Sequence, residues 1–372
     1  MLFDHQGVIM SRHLQDLQVV KDLQVKKDSE FFITIAKQGP IHSFMMLGVV
    51  GPDGTNHLLA RVGKGGYIDE NDSIGDMLKS GIRARLVHEG ISRKKRPEGT
   101  PITYQAYSVN YEQAVDFLHL TREIEVKQIP PIPKNPSEEI IFPPIYGLIP
   151  ASEDGEMVTF KYRELANLPE RNKTTGRVDH LVKDALALNP MKTCRTTAVN
   201  MVEAVLGFAT KVAKFFLIEP KYKTTLDAGL PNKESFYILP PPPNVHKELS
   251  PKQQKVLAAL YKKMESIPTK HEKSPEKTRA KFNAVKELYN SIAGSNKLSA
   301  NELLLQITKH ESNNIKALHD KRNPGVLSKM FNLDSSTQVM FAKMKKELTG
   351  AQEELAVERK KVEESEYKPK EP

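Results

Sequence analysis

Four consecutive prolines, Pro240–Pro243 in "FYILPPPPN" (236–244), constrain this chain more than any other feature. Proline lacks a backbone N–H and fixes φ at about −65°, so neither a helix nor a central strand can run through such a block. The hydrophobic period changes across it. Upstream, "FFITIA" (31–36), "HSFMMLGVV" (42–50) and "HLLARVG" (57–63) are short apolar runs separated by the turn signals "KQGP" and "GPDGTN". That is hairpin punctuation. Downstream, "SPKQQKVLAALYKKMESI", "SPEKTRAKFNAVKELYNSIAG" and "LSANELLLQITKHESNNIKALHD" carry apolar residues three and four apart, the period of a helix. Ser250, Ser274 and Ser299 are placed as N-caps, with Pro251 and Pro275 at the first helical position.

The remaining segments fit between these signals. "ITYQAYSVN" (102–110) alternates as a half-buried strand, and "YEQAVDFLHLTREIE" (111–125) has helical spacing. "RVGKGGY" (61–67) lacks the spacing and the Ser/Thr of a phosphate-cradling loop and is predicted as a tight turn leaving the strand. "EMVTFKYREL" (156–165) reads as one more strand, "GRVDHLVKDALALNP" (176–190) as a helix ended by Pro190, and a further helix is predicted from Thr193 to about Phe216. The predicted organisation is a strand-rich part over 1–128, a proline-rich connector over 129–155, and a strand plus the Cys194 helix over 156–245. A helical domain over 246–348 and a charged flexible tail over 349–372 follow. The fold class is α+β, an antiparallel sheet packed on a Cys-bearing helix and followed by an α-helical domain.

Composition narrows the function. Lys and Arg outnumber Asp and Glu by 55 to 46, a net charge of +9 that favours acidic partners such as an anionic membrane surface or nucleic acid. The basic cluster "SRKKRP" (92–97) has no stacking aromatic beside it and is read as a solvated loop; no recognised nucleic-acid motif occurs. A single cysteine excludes an internal disulfide and a four-cysteine zinc site. Neither "VHEGIS" (87–92) nor "KHESN" (309–313) is an HExxH zinc motif, and no cofactor is predicted. The N-terminus lacks the apolar core of a secretory signal, and no apolar run approaches the length of a membrane span.

That one cysteine lies in "NPMKTCRTTAVNMVEAVLGF" (189–208), where Pro190 stops one helix and Thr193 caps the next. Thiolate is the reactive form of cysteine, and the partial positive charge of a helix N-terminus favours it. Such a thiol becomes a nucleophile when an imidazole distant in sequence reaches it. His42, which opens an apolar strand and shares its face with Phe44 and Met46, is the predicted base. His57, on the strand after the turn, is the predicted orienting residue, and the N–H of Cys194 an oxyanion donor. His88, His119 and His180 are read as surface or satisfied core.

A histidine starting a strand, a hairpin, a second histidine and much later a cysteine opening a helix is an order that resembles the circularly permuted papain-like superfamily. That superfamily includes lecithin–retinol acyltransferase-like and NlpC-type proteins. The resemblance covers 31–63 and 189–216, under a fifth of the chain, and Thr193 stands where members often have Asn. It implies that His42, His57 and Cys194 serve as base, orienting group and nucleophile in thioester-mediated hydrolysis or acyl transfer. "LHDKRNPGVLSKMFNLDSS" (318–336) and "QEELAVERKKVEESE" (352–366) are similar to segments of bacterial type IV (Dot/Icm-type) secretion effectors. This implies a protein made in a bacterial cytoplasm and translocated into a host cell. Two readings follow: a cysteine hydrolase or acyltransferase acting on a host peptide, isopeptide or lipid acyl bond, and a non-enzymatic effector that binds a host protein or anionic membrane on the same scaffold.

Overall fold

The computed structural model describes residues 22–66, 81–89, 99–128, 147–162, 178–226, 236–320 and 334–350. The basic cluster at 92–97, most of the connector and the tail beyond 350 lie outside the described residues. The chain divides into two compact units, Met1–Ile238 and Leu239–Pro372. The division falls just before the four prolines.

The first unit is mixed α/β, built on a curled antiparallel sheet. Strands β2 (Phe31–Gln38), β3 (His42–Val50) and β4 (Asn56–Gly66) form consecutive hairpins. They are almost wholly buried, which explains why their sequences read as continuous apolar runs rather than alternating ones. β5 (Ile82–His88) pairs with β4, and β6 (Thr100–Val109) pairs with β2. With β9 (Ala187–Leu188) and β10 (Tyr222–Leu226) the order is β10-β6-β2-β3-β4-β5-β9. A separate three-stranded sheet has the order β1-β8-β7, from Leu23–Lys26, Met157–Tyr162 and Leu148–Asp154.

Three segments differ from the sequence reading. "RVGKGG" (61–66) is strand, not turn, because β5 pairs along it from Val62↔His88 to Gly66↔Ala84. Residues 148–154 of the expected connector form β7, an edge strand where the missing donor of Pro150 falls beside a register shift. The helix expected to reach Pro190 spans only Val178–Ala185 (α2), because residues 187–188 pair with Ile82 and Arg83 of β5. Tertiary pairing overrides helix propensity there.

Helix α1 (Tyr111–Val126) is closed by a reciprocal capping box between Asn110 and Gln113. The cysteine helix α3 spans Cys194–Leu206, with the Thr193 hydroxyl accepting from the N–H of Thr196. It stops ten residues before the expected Phe216. Gly207 takes a left-handed φ of 73° and returns its N–H to Glu203 O, a C-cap that side chains with a Cβ disfavour. The Glu203 carboxylate then accepts from the N–H and hydroxyl of Thr210, turning the chain away. α3 buries Ala198, Val199, Met201 and Val202, and lies against β3, β2, β4 and α1.

In the second unit, α4 (Pro251–Ser266), α5 (Pro275–Ala293), α6 (Ala300–Asn313) and α7 (Ile315–His319) precede a helix that includes 336–350. Ser250 and Ser299 form capping boxes, whereas Ser274 makes no side-chain cap. Leu257, Leu260, Met264, Leu288, Ile292, Leu303 and Ile307 fill the core.

Because the Thr193 cap fixes where α3 begins, Thr193→Ala is expected to lower stability by about 1 kcal/mol. Urea denaturation measures this, and an unchanged midpoint would show that the cap contributes nothing.

Candidate functional site

The site forms where the start of β3 meets the start of α3. Side chains two apart on a strand share a face, and His42 accordingly stacks on Phe44, with ring centroids 5.8 Å apart. Phe44 pairs with Gly63 of β4, and Gly63 pairs with Val87 of β5. Two residues past Val87 comes Glu89, on that same face. Its buried carboxylate crosses Gly63 to hold His42 Nε2 at 2.8 Å. A Cβ at position 63 would overlap the Glu89 carboxylate, so the crossing needs glycine.

Cys194 also favours the charged form of His42. Burial works against the imidazolium, but the hydrogen bonds and charges of Cys194 and Glu89 outweigh it and raise His42 from 6.5 to about 9. At neutral pH the imidazole is therefore protonated, with the Glu89 carboxylate at its Nε2. Cys194 is partly exposed, and its Sγ lies 3.2 Å from the carbonyl oxygen of Lys64.

Two buried cations hold this arrangement. The Lys64 ammonium donates to Asp184 O at 2.6 Å, Lys192 O at 2.8 Å and Thr197 Oγ1 at 3.0 Å. All three of its protons are thereby used, tying β4 to the end of α2, the turn before α3 and the first turn of α3. Burial lowers its pKa to about 8, opposed by Cys194 and Asp184. Arg195 is fully buried; its Nε donates to Ser43 Oγ at 3.0 Å and its Nη2 to Ile218 O at 3.2 Å. The neighbours of Cys194 and His42 are thus joined directly.

His57 lies elsewhere. In an antiparallel hairpin the residue just after the turn faces the end of the preceding strand, and His57 pairs with Val49. That is seven residues along β3 from His42, roughly 23 Å at the rise of a strand. Its ring sits against the turn at Gly51, where burial lowers its pKa and Asp53 opposes. The residue opposite the start of β3 must come from the far end of β4, and the group that meets His42 there is Glu89.

Glu89 and Lys64 stand in segments that the sequence reading set aside, "VHEGIS" and "RVGKGGY". The available signal was parity: extending β4 through Gly63 and pairing it with "IRARLVH" carries Glu89 to the His42 face. Among the described residues no group of three His, Cys, Asp or Glu could hold a metal, and no helix is long and apolar enough to cross a membrane. The chain matches no family model, no curated protein and no solved structure.

His42 titrates above its ordinary 6.5, so its contacts stabilise the fold below that value, and this contribution is lost as pH rises through about 9. The His42 imidazole resonances should titrate near 9 and move toward the ordinary value in Glu89→Gln. The stability difference between the two proteins should shrink over the same window. An unmoved midpoint in Glu89→Gln would remove Glu89 from the site.

Proposed function

We propose that the first unit is a cysteine-dependent hydrolase or acyltransferase with a permuted papain-like arrangement, Cys194 serving as nucleophile, His42 as acid and base, and Glu89 as the group that orients His42. The observation that carries this reading is that Glu89 holds the His42 Nε2 at 2.8 Å while Cys194 acts on the same imidazole to favour its charged form. A structural thiol needs no such partner, and a solvated histidine is not pushed to about 9.

The chemistry follows from the proton's position. With the proton on His42, the Cys194 sulfur adds to an acyl carbonyl carbon as thiolate. The Cys194 N–H, at the first position of α3, has no acceptor within the helix and in this proposal donates to the oxyanion. Collapse breaks the bond to the leaving group, which takes the His42 proton, and leaves a thioester on Cys194. Neutral His42 then takes a proton from water or an acceptor alcohol or amine, which adds to the thioester and expels the thiolate. Glu89, buried and bonded to Nε2, fixes the ring and favours its charged form in both halves.

Delivery into a host cell by a type IV secretion system remains part of the proposal. It is supported by the similarity of 318–336 and 352–366 to segments of such effectors. A translocation reporter fused to the chain with and without 349–372 tests it: loss of transfer on truncation is expected, and equal transfer would remove the tail's role.

The enzymatic reading is tested by thiol labelling. Iodoacetamide should modify the native protein at Cys194 at neutral pH, and His42→Ala should slow this by about tenfold or more. Labelling equally slow in native and His42→Ala protein would leave Cys194 a structural thiol.

A further inference from the structure

Buried hydrogen-bond donors in a folded protein almost always meet acceptors, so a place where several do not calls for a physical reason. The first unit has such a place. Neighbouring side chains on a strand face opposite ways, so Ser43 lies on the other face of β3 from His42. Ser43 pairs with Lys37 of β2, and Lys37 pairs with Thr103 of β6. Directly paired residues share a face, so Ser43, Lys37 and Thr103 form one row across three strands. The row runs on to the exposed Lys223 of β10, and Arg195 of α3 joins its other end through Ser43 Oγ. Arg195 is 0% exposed and Lys37 4%.

Donors exceed acceptors in this cluster. Arg195 Nε and Nη2 are taken by Ser43 Oγ and Ile218 O, but its Nη1 is buried with no hydrogen-bond partner among the described residues. The same holds for Thr103 Oγ1. Of the three ammonium protons of Lys37, one has an acceptor, Leu217 O at a long 3.4 Å. The carboxylate at hand is Glu219. Its Oε1 lies 3.7 Å from Lys37 Nζ, beyond hydrogen-bond reach, and its side chain is 58% exposed. Burial lowers the Arg195 pKa and the charge of Glu219 opposes this, so the same carboxylate faces both cations. Two buried positive charges thus share one solvated and loosely held negative charge.

The arrangement indicates what would satisfy it. The open donors come from α3, β2 and β6, and so from several sides. A carboxylate carries two oxygens in one plane, whereas a tetrahedral oxyanion offers oxygens in all these directions. A guanidinium, an ammonium and a hydroxyl together suit phosphate. A phosphate monoester carries about −1.5 to −2 charge at neutral pH and so balances both cations, where Glu219 balances one. Leu217 O and Ile218 O fix the backbone over the cluster, while the exposed Glu219 side chain is free to swing outward.

We propose that Lys37, Arg195 and Thr103 form a binding site for a phosphate group, either the free ion or a small phosphate monoester, which enters by displacing the Glu219 carboxylate. The inference stands on these donors and does not depend on the enzymatic reading.

Isothermal titration calorimetry of the full chain at neutral pH, with ionic strength held constant by chloride, reads the binding of inorganic phosphate and of glycerol 3-phosphate. Native protein should bind at least one of them saturably, and the tighter of the two identifies the form of the ligand. Lys37→Met should weaken that binding about tenfold and Thr103→Val about threefold, with circular dichroism spectra unchanged. Glu219→Gln should bind about threefold tighter, because the competing carboxylate is gone. A lysine that merely supports the fold predicts no such gain. Lack of saturable binding of both ligands, in native protein and in Glu219→Gln, would overturn the site, as would equal affinity in native, Lys37→Met and Thr103→Val protein. Should Lys37→Met fail to fold, Thr103→Val and Glu219→Gln decide by their opposite signs. Weaker binding in the first with tighter binding in the second supports the site, and any other result overturns it.

Discussion

A buried carboxylate is among the groups a protein must most closely satisfy, and His42 is a partner that Glu89 meets at 2.8 Å. Much of the first unit can be understood from that requirement. Reaching His42 obliges the Glu89 side chain to pass over a strand, which is possible only where that strand has no side chain, at Gly63. The pairing of β3, β4 and β5 then has to be in one register, since a slip of one residue would put Glu89 and His42 on opposite faces. The imidazolium so fixed is the partner presented to Cys194.

The other half of the site depends on cations placed where the solvent cannot screen them. Lys64 takes three acceptors from three different pieces of chain and so sets the entry of α3 relative to β4. Its carbonyl oxygen lies beside the sulfur as well, so one residue uses its backbone and side chain at the same helix start. Arg195 does the equivalent toward β3 through Ser43. Breaking either contact would take hydrogen bonds from a buried charge, which is why they specify position strongly.

The strands at 31–36, 42–50 and 57–63 and the α1 helix were legible because each rests on local period and turn chemistry. So were the placement of Cys194 at a helix start and of His42 at a strand start. What failed was non-local. Gly207 ends α3 through a left-handed conformation that apolar spacing does not reveal. β9 exists only because β5 lies beside it, and "RVGKGG" is extended only because β5 pairs with it. His57 was assigned to His42 by the order of histidines along the chain, whereas hairpin geometry sends residues flanking a turn to each other. Glu89 was hidden because a lone glutamate after a strand signals nothing until the register is known.

Ser43 and Arg195, the contact that ties the two halves of the site, are separated by 152 residues. Bringing them together closes a long loop, and the entropy of that closure is recovered only when the contacts of β3 with α3 have formed. A nascent or partly unfolded chain therefore carries an ordinary thiol with no imidazole beside it. Any reactivity that Cys194 draws from His42 therefore waits on completion of the fold.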